Sequence, residues 1–235
     1  MYELAPYVSA CTPGRSCIFL DLKHDRYVAV DAERMRRLAP LLSSSHMESR
    51  AADFLSQHDG TPMPFAQELI TAGLLRNAVR HGTPRPPLPP TATRDLGCPD
   101  HPRYSKSRPR HRLSAVLAMM RADLILRRTA LWRIADRIRT AKVRPVPGLF
   151  DPPPWEIDSI TSTFLHLRPW YPRNYLCLYD SFALMLLLGA HRISADWVFG
   201  VREDPFLAHC WVQHNSVVLN DQLDRIRLFV PIMAI

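Results

Sequence analysis

The chain has 235 residues, 47% hydrophobic and 22% charged, so it can bury a core and falls outside the disordered and fibrous classes. Its formal charge of +8 would suit nucleic acid or an acidic membrane, yet the excess is local. Residues 1–83 carry 9 basic and 9 acidic side chains, 84–144 carry 15 and 4, and 145–235 carry 6 and 9.

Five cysteines (Cys11, Cys17, Cys98, Cys177, Cys210) stand at unrelated spacings without a CxxC pair, which argues against a disulfide framework or a zinc ribbon and for a reducing cytoplasm. The first residues lack the basic-then-apolar order of an export signal. The longest apolar run, 182–190, is far short of the roughly 20 residues a membrane helix needs. A soluble, cytoplasmic chain without a membrane partner is expected.

In chain order, SCIFLDL (16–22) and RYVAV (26–30) read as two strands around a polar turn at Lys23-His24-Asp25, with an earlier strand near Tyr7. Asp31 is a suitable N-cap for a helix over 32–42. Further helices are predicted over 48–57 and over 65–72, the last ended by Gly73. Three strands followed by three helices is a winged-helix order, assigned to residues 1–83. Residues 84–110 hold eight of the 22 prolines and almost no aliphatic side chains, the composition of an extended Pro/Arg-rich linker.

Beyond the linker, Leu113, Leu117, Met120, Leu124, Leu131, Ile134 and Ile138 recur at helical spacing and predict one helix of about eight turns packed through that stripe. Arg121, Arg128, Arg133 and Arg137 fall off the stripe, as a solvated face or a docking surface for an acidic partner. A helix over 155–167 stops at Pro169. The run NYLCLYDSFALMLLLG then offers Asn174 as N-cap, a helix apolar on nearly every face, and Gly189 as its end. Cys177 would sit in its first turn, where unpaired N–H groups and the helix dipole favour a thiolate.

Strands are predicted over 195–201, 206–214 and 217–221. A hairpin loop centred on Asn215 with an odd number of residues would place His209 opposite Asp221, close enough for the carboxylate to orient the imidazole. Cys177, His209 and Asp221 would then supply nucleophile, base and orienter. Each also has an ordinary structural explanation, as packing cysteine, core histidine and turn residue. Cys98-Pro-Asp-His101 has metal-ligand residue types but no second ligand pair, and neither GxGxxG nor GxxxxGK[ST] occurs, so neither metal nor cofactor is expected.

A helix-borne cysteine followed by a strand-borne histidine and aspartate is the order of the papain/transglutaminase-like fold, giving an α+β class overall with residues 111–235 as the catalytic domain. Residues 168–235, through RPWYPRNYLCLYDSFALMLLL, WVFGVREDPFLAHCWVQHNSVVLND and the terminal FVPIM, closely resemble the transglutaminase-like leader peptidase of lasso-peptide biosynthesis, the lasso B protein. Residues 1–83 resemble, less specifically, the PqqD-like element that binds leader peptides.

The resemblance implies a cysteine peptidase that hydrolyses the leader–core bond of a lasso precursor peptide, with Cys177, His209 and Asp221 as its catalytic residues. The freed core would pass to an asparagine-synthetase-like lasso cyclase. It also implies that the leader adds as a strand beside Arg26, Tyr27, Val28, Ala29 and Val30 and packs on Phe65 and Leu69. Two other classes stand beside it: a transglutaminase or acyltransferase using the same triad, and a DNA-binding regulator. The regulator is disfavoured because 1–83 is charge-neutral and 65–72 holds no Arg or Lys for phosphates, so no nucleic-acid partner is expected.

Overall fold

A computed structural model describes residues 2–31, 34–35, 64–77, 87–96, 108–143 and 153–235. The chain divides into two compact units, Met1–Pro86 and Pro87–Ile235.

In the first unit, β2 (Val8–Cys11), β3 (Ser16–Asp21) and β4 (Arg26–Asp31) form an antiparallel sheet in the order β2-β3-β4. Asp21 builds the β3–β4 turn. Its carboxylate accepts the Lys23 and His24 N–H groups at 3.2 and 3.3 Å and the Arg26 Nε–H at 3.1 Å, while Asp25 turns through a φ of 51°. β1 (Tyr2–Leu4) pairs separately with β5 (Leu75–Asn77), two strands absent from the sequence expectation. Helix α1 (Pro64–Thr71) ends at Gly73, whose φ of +75° suits glycine. Phe19, Leu69 and Leu74 are buried at the centre of this unit.

The 32–42 and 48–57 helices fall, apart from Arg34 and Met35, outside the described residues. Asp31 does accept the Arg34 N–H at 3.3 Å, as an N-cap would.

The second unit is a five-stranded sheet covered by helices. Its strands are β6 (Arg94–Asp95), β7 (Asp196–Arg202), β8 (Leu207–His214), β9 (Val217–Val218) and β10 (Val230–Ala234), in the order β10-β7-β8-β9-β6. Its helices are α2 (Pro109–Arg128), α3 (Leu131–Val143), α4 (Pro154–Leu167), α5 (Cys177–Ala190) and the short α6 (Leu223–Ile226). Helix α5 is the core element expected from its all-round apolarity: Tyr179, Phe182, Ala183, Leu184, Leu187 and Leu188 are buried, and Phe182 stacks on Trp197 of β7. No helix among the described residues is long and apolar enough to cross a membrane.

Four expectations are corrected here. The eight-turn helix is two helices, because Thr129 adopts an extended backbone (φ −130°, ψ 126°) between α2 and α3. The leucine stripe of α2 does not face the core: Leu113, Leu117, Met120 and Leu124 are 48–65% exposed, while His111, Ala115, Ala118, Met119 and Ala122 are buried. Small residues let α2 approach α5 closely enough for Tyr179 Oη to donate to the Met119 carbonyl at 2.9 Å, and bulky leucines are left outside.

Part of the proline-rich segment is packed rather than spanning. Residues 94–95 form β6, parallel to β9, the Pro90 carbonyl accepts from Gln213 Nε2 at 2.6 Å, and Asp95 accepts the Leu223 N–H at 2.7 Å. An extended proline segment needs no aliphatic side chains to join a sheet edge through its backbone. Helix α5, finally, is capped by Leu176 rather than Asn174 and runs past Gly189, with Arg192 taking the left-handed position at φ 60°.

Candidate active site

Cys177 is the first residue of α5, so its sulfur lies at the end of the helix where backbone N–H groups have no intrahelical acceptor. The approach to it is held by Arg168, only 3% exposed, which pairs with Asp180 in the first turn of α5. The same guanidinium donates to the Arg173 and Asn174 carbonyls at 3.1 and 2.8 Å and lies 4.4 Å over the Tyr175 ring. One buried arginine therefore fixes the segment leading into Cys177.

His209 lies on β8, opposite Gly200 of β7. A Cβ on Gly200 would meet the Trp211 ring at 2.8 Å and Phe229 at 3.0 Å, so glycine is what lets these two rings close around the imidazole. The Phe229 ring centroid is 5.1 Å from that of His209, and His209 is 7% exposed. Its Nε2 hydrogen-bonds Asp221 Oδ2, while Asp221 Oδ1 accepts the Gln222 N–H at 2.8 Å. With Nε2 engaged, Nδ1 is the ring nitrogen left for the sulfur.

The structure thus brings Cys177, His209 and Asp221 together, by a route other than the expected one. The β8–β9 pairs are Gln213 with Val218 and His214 with Val217, a two-residue turn at Asn215-Ser216 with Asn215 at φ 51°. That register does not set residue 209 against 221. The ladder stops at Val218, and the chain beyond it bends so that Asp221 reaches the imidazole from outside the strand pairing.

Electrostatics complete the site. The Cys177 pKa falls from 9.0 to about 4: the Cys210 thiol hydrogen-bonds the sulfur, and the His209 contact adds to this against the opposing effect of burial. Burial works to lower His209, but hydrogen bonds to Asp221 and Cys177 outweigh it and raise its pKa from 6.5 to about 9. Cys210 is pushed well above 9.0 by its contact with the Cys177 sulfur and by burial, so it stays a thiol donor. Near neutral pH the pair is thiolate and imidazolium, a nucleophile beside an acid. In sequence a cysteine within a strand looks like packing, and the one signal that points to Cys210 is its place beside His209 in the chain.

The remaining predicted residues lie in the first unit. Arg26, Tyr27, Val28, Ala29 and Val30 are on β4, at the edge of its sheet. Val28, Val30 and Phe65 are half-buried against the core, and Ala29 is exposed. Leu69 is corrected: it is 4% exposed, part of the unit's own core rather than an open docking face. Cys98 and His101 lie outside the described residues, and the described ones contain no cluster able to hold a metal.

A cysteine, histidine and aspartate supplied from the start of α5, from β8 and from the loop after β9 have the chemical means to attack a carbonyl carbon. The chain belongs to the transglutaminase-like superfamily, whose family model matches residues 110–234, over half its length. Among curated proteins it is similar to the microcin J25-processing protein McjB of Escherichia coli, 44% identical over 45 residues. That match takes in 19% of this chain and 22% of McjB, so the chain is matched to about a fifth of the relative's length. No solved structure matches it significantly.

Proposed function

We propose that the protein is a cysteine peptidase that binds the leader of a lasso-peptide precursor and hydrolyses the leader–core bond. The observation that carries this is the Asp221-held His209 beside Cys177 at the start of α5. In the first step Cys177 Sγ attacks the carbonyl carbon of the scissile amide, and the carbon–nitrogen bond breaks as the His209 imidazolium gives its proton to the leaving amine. The leader is left as a thioester on Cys177. Neutral His209 then takes one proton from water, whose oxygen attacks the thioester and releases the thiolate and the leader acid, which gives its remaining proton to solvent. Asp221 holds the ring and stabilises its charged form throughout.

The first unit supports a PqqD-like leader-recognition role, with the leader adding to the β4 edge beside Arg26–Val30 and reaching Phe65. The freed core amine would pass to an asparagine-synthetase-like cyclase in the cytoplasm. Similarity to a microcin-processing protein favours this assignment. The superfamily match keeps one other outcome of the same thioester, capture by an amine instead of water, which makes the protein an acyltransferase.

Mass spectrometry of a lasso precursor incubated with the protein decides between them. The expected products are free leader acid and core peptide, abolished by Cys177→Ala and by His209→Ala, with weak activity retained by Asp221→Asn. Leader recovered as an amide of an added amine, with no free acid, selects the acyltransferase; full cleavage by Cys177→Ala removes the assignment of the nucleophile.

A further inference from the structure

The nucleophile, the base and its orienter stand on three different elements, α5, β8 and the loop after β9, and no covalent link sets their spacing. Two polar side chains join all three. Ser181 is one turn along α5 from Cys177, on the same face, and is completely buried. Its hydroxyl donates to the backbone carbonyl of Cys210, the residue following His209, at 3.1 Å. Asn220, immediately before Asp221, donates from Nδ2 to the Ser181 hydroxyl at 3.0 Å and accepts the Val212 N–H on Oδ1 at 2.7 Å.

We infer that Asn220 and Ser181 are positioning residues that hold the Cys177 helix, the His209 strand and the Asp221 loop at reacting distance through one hydrogen-bonded relay. The inference rests on the reading of Cys177 as the nucleophile. The β8–β9 ladder explains why a relay is needed: its pairs end at Val218, one further backbone bond joins the Leu219 N–H to the Val212 carbonyl at 2.9 Å, and no strand pairing reaches Asp221. The Asn220 side chain takes over there, filling the Val212 N–H that a longer strand would have paired by its backbone. A buried hydroxyl and a half-buried amide add little net stability over apolar residues. What they add is direction, since hydrogen bonds weaken steeply with angle and apolar contacts do not. Catalysis is sensitive to displacements of about 1 Å, the scale such bonds control.

The test uses the full-length protein and two readouts: inactivation by iodoacetamide followed against pH, and cleavage of a lasso precursor. In the wild type the inactivation rate should rise through an inflection near the low Cys177 value of about 4. Ser181→Ala and Asn220→Ala should each move that inflection upward by at least about one pH unit and lower kcat by roughly 10- to 100-fold, with KM within about twofold. Asn220→Asp is nearly isosteric and keeps an acceptor for Val212 but has no N–H for Ser181, so it should behave as Ser181→Ala does. The Ser181→Ala/Asn220→Ala double variant should be no slower than the worse single one, as expected of one unit.

Variants that fold by circular dichroism yet keep the wild-type inflection and kcat overturn the relay, leaving the two residues as packing. An additive double variant overturns it as well. Should the single alanine variants fail to fold, Asn220→Asp alone decides. A wild-type inflection near 9 overturns the nucleophile reading, and the relay with it. A low wild-type inflection that moves in the variants, without precursor cleavage, supports the relay and removes only the substrate assignment.

Discussion

Each compact unit holds a pair of neighbouring cysteines: in the first both thiols are pushed up, while in the second Cys210 is pushed up and Cys177 is pulled down. In the first unit Cys11 and Cys17 lie on adjacent strands. Burial, and for Cys11 also the Cys17 thiol, pushes them up to about 12 and about 11. In the second unit Cys177 is also largely removed from water, yet its pKa falls to about 4. Burial cannot be the difference. Cys177 has a helix end, a thiol donor and an imidazolium around it; the first pair has a sheet core that offers no charge and no strong donor. A nucleophilic cysteine is made by what surrounds the sulfur in its charged form.

The largest effect expected from this contrast comes from removing the cation. His209→Ala should raise the Cys177 pKa towards its ordinary value of 9.0, with the Cys210 thiol still hydrogen-bonded to the sulfur and holding it below the range of Cys11 and Cys17. At pH 6 its alkylation by iodoacetamide should then slow by roughly three- to fivefold, since most of the thiolate is lost while the remaining thiolate is more nucleophilic. Tryptic mapping of the labelled protein checks this, with Cys177 as the only fast site among Cys11, Cys17, Cys177 and Cys210 in the wild type.

The pH dependence of turnover should follow the same pair. Activity should rise as pH passes about 4, where Cys177 loses its proton, and fall as pH passes about 9, where His209 loses the one it must give to the leaving amine. A kcat/KM profile peaking between these values checks the assignment; a single rise near 9 would mean an ordinary thiol.

Stability should show the opposite sign in the first unit. Cys11 and Cys17 keep their protons in the folded state above the unfolded value of 9.0, so the folded state binds more protons than the unfolded one between about 9 and 12. Stability must therefore fall as pH rises through that window, and urea midpoints from pH 8 to 11 should decline. Cys17→Ala should blunt this decline. That substitution is the smallest effect, a loss of about 1 kcal/mol from a slightly emptied core, and the alkylation rate of Cys177 should not change.

How much was legible beforehand varies with the kind of interaction. Helix α5 was readable because its apolar residues fall on every face, a pattern only a buried helix sustains, and its start followed closely enough to place Cys177 in the first turn. Helix α2 misled, because its largest apolar residues form a regular stripe while its actual contact is made by Ala115, Ala118 and Ala122. Periodicity weighs residues by hydrophobicity and does not know that a close helix crossing selects small ones. The same limit hid β6: a two-residue strand held by backbone hydrogen bonds has no side-chain pattern to detect.

The candidate residues Cys177, His209 and Asp221 and the helix and strand that carry the first two were legible in the sequence, because local propensity and residue chemistry are properties of short segments; Asp221, expected on a strand over 217–221, lies in the loop beyond Val218. Their meeting was not. The assumed hairpin register was off by one residue, and Asp221 reaches His209 only because the ladder ends at Val218 and the chain turns back. The roles of Arg168, Cys210, Ser181 and Asn220 likewise exist only between elements far apart in the chain, through hydrogen bonds and ion pairs whose partners no local pattern names. What tertiary structure alone decided was geometry at the scale of a hydrogen bond, and that scale separates a cysteine that packs from one that can react.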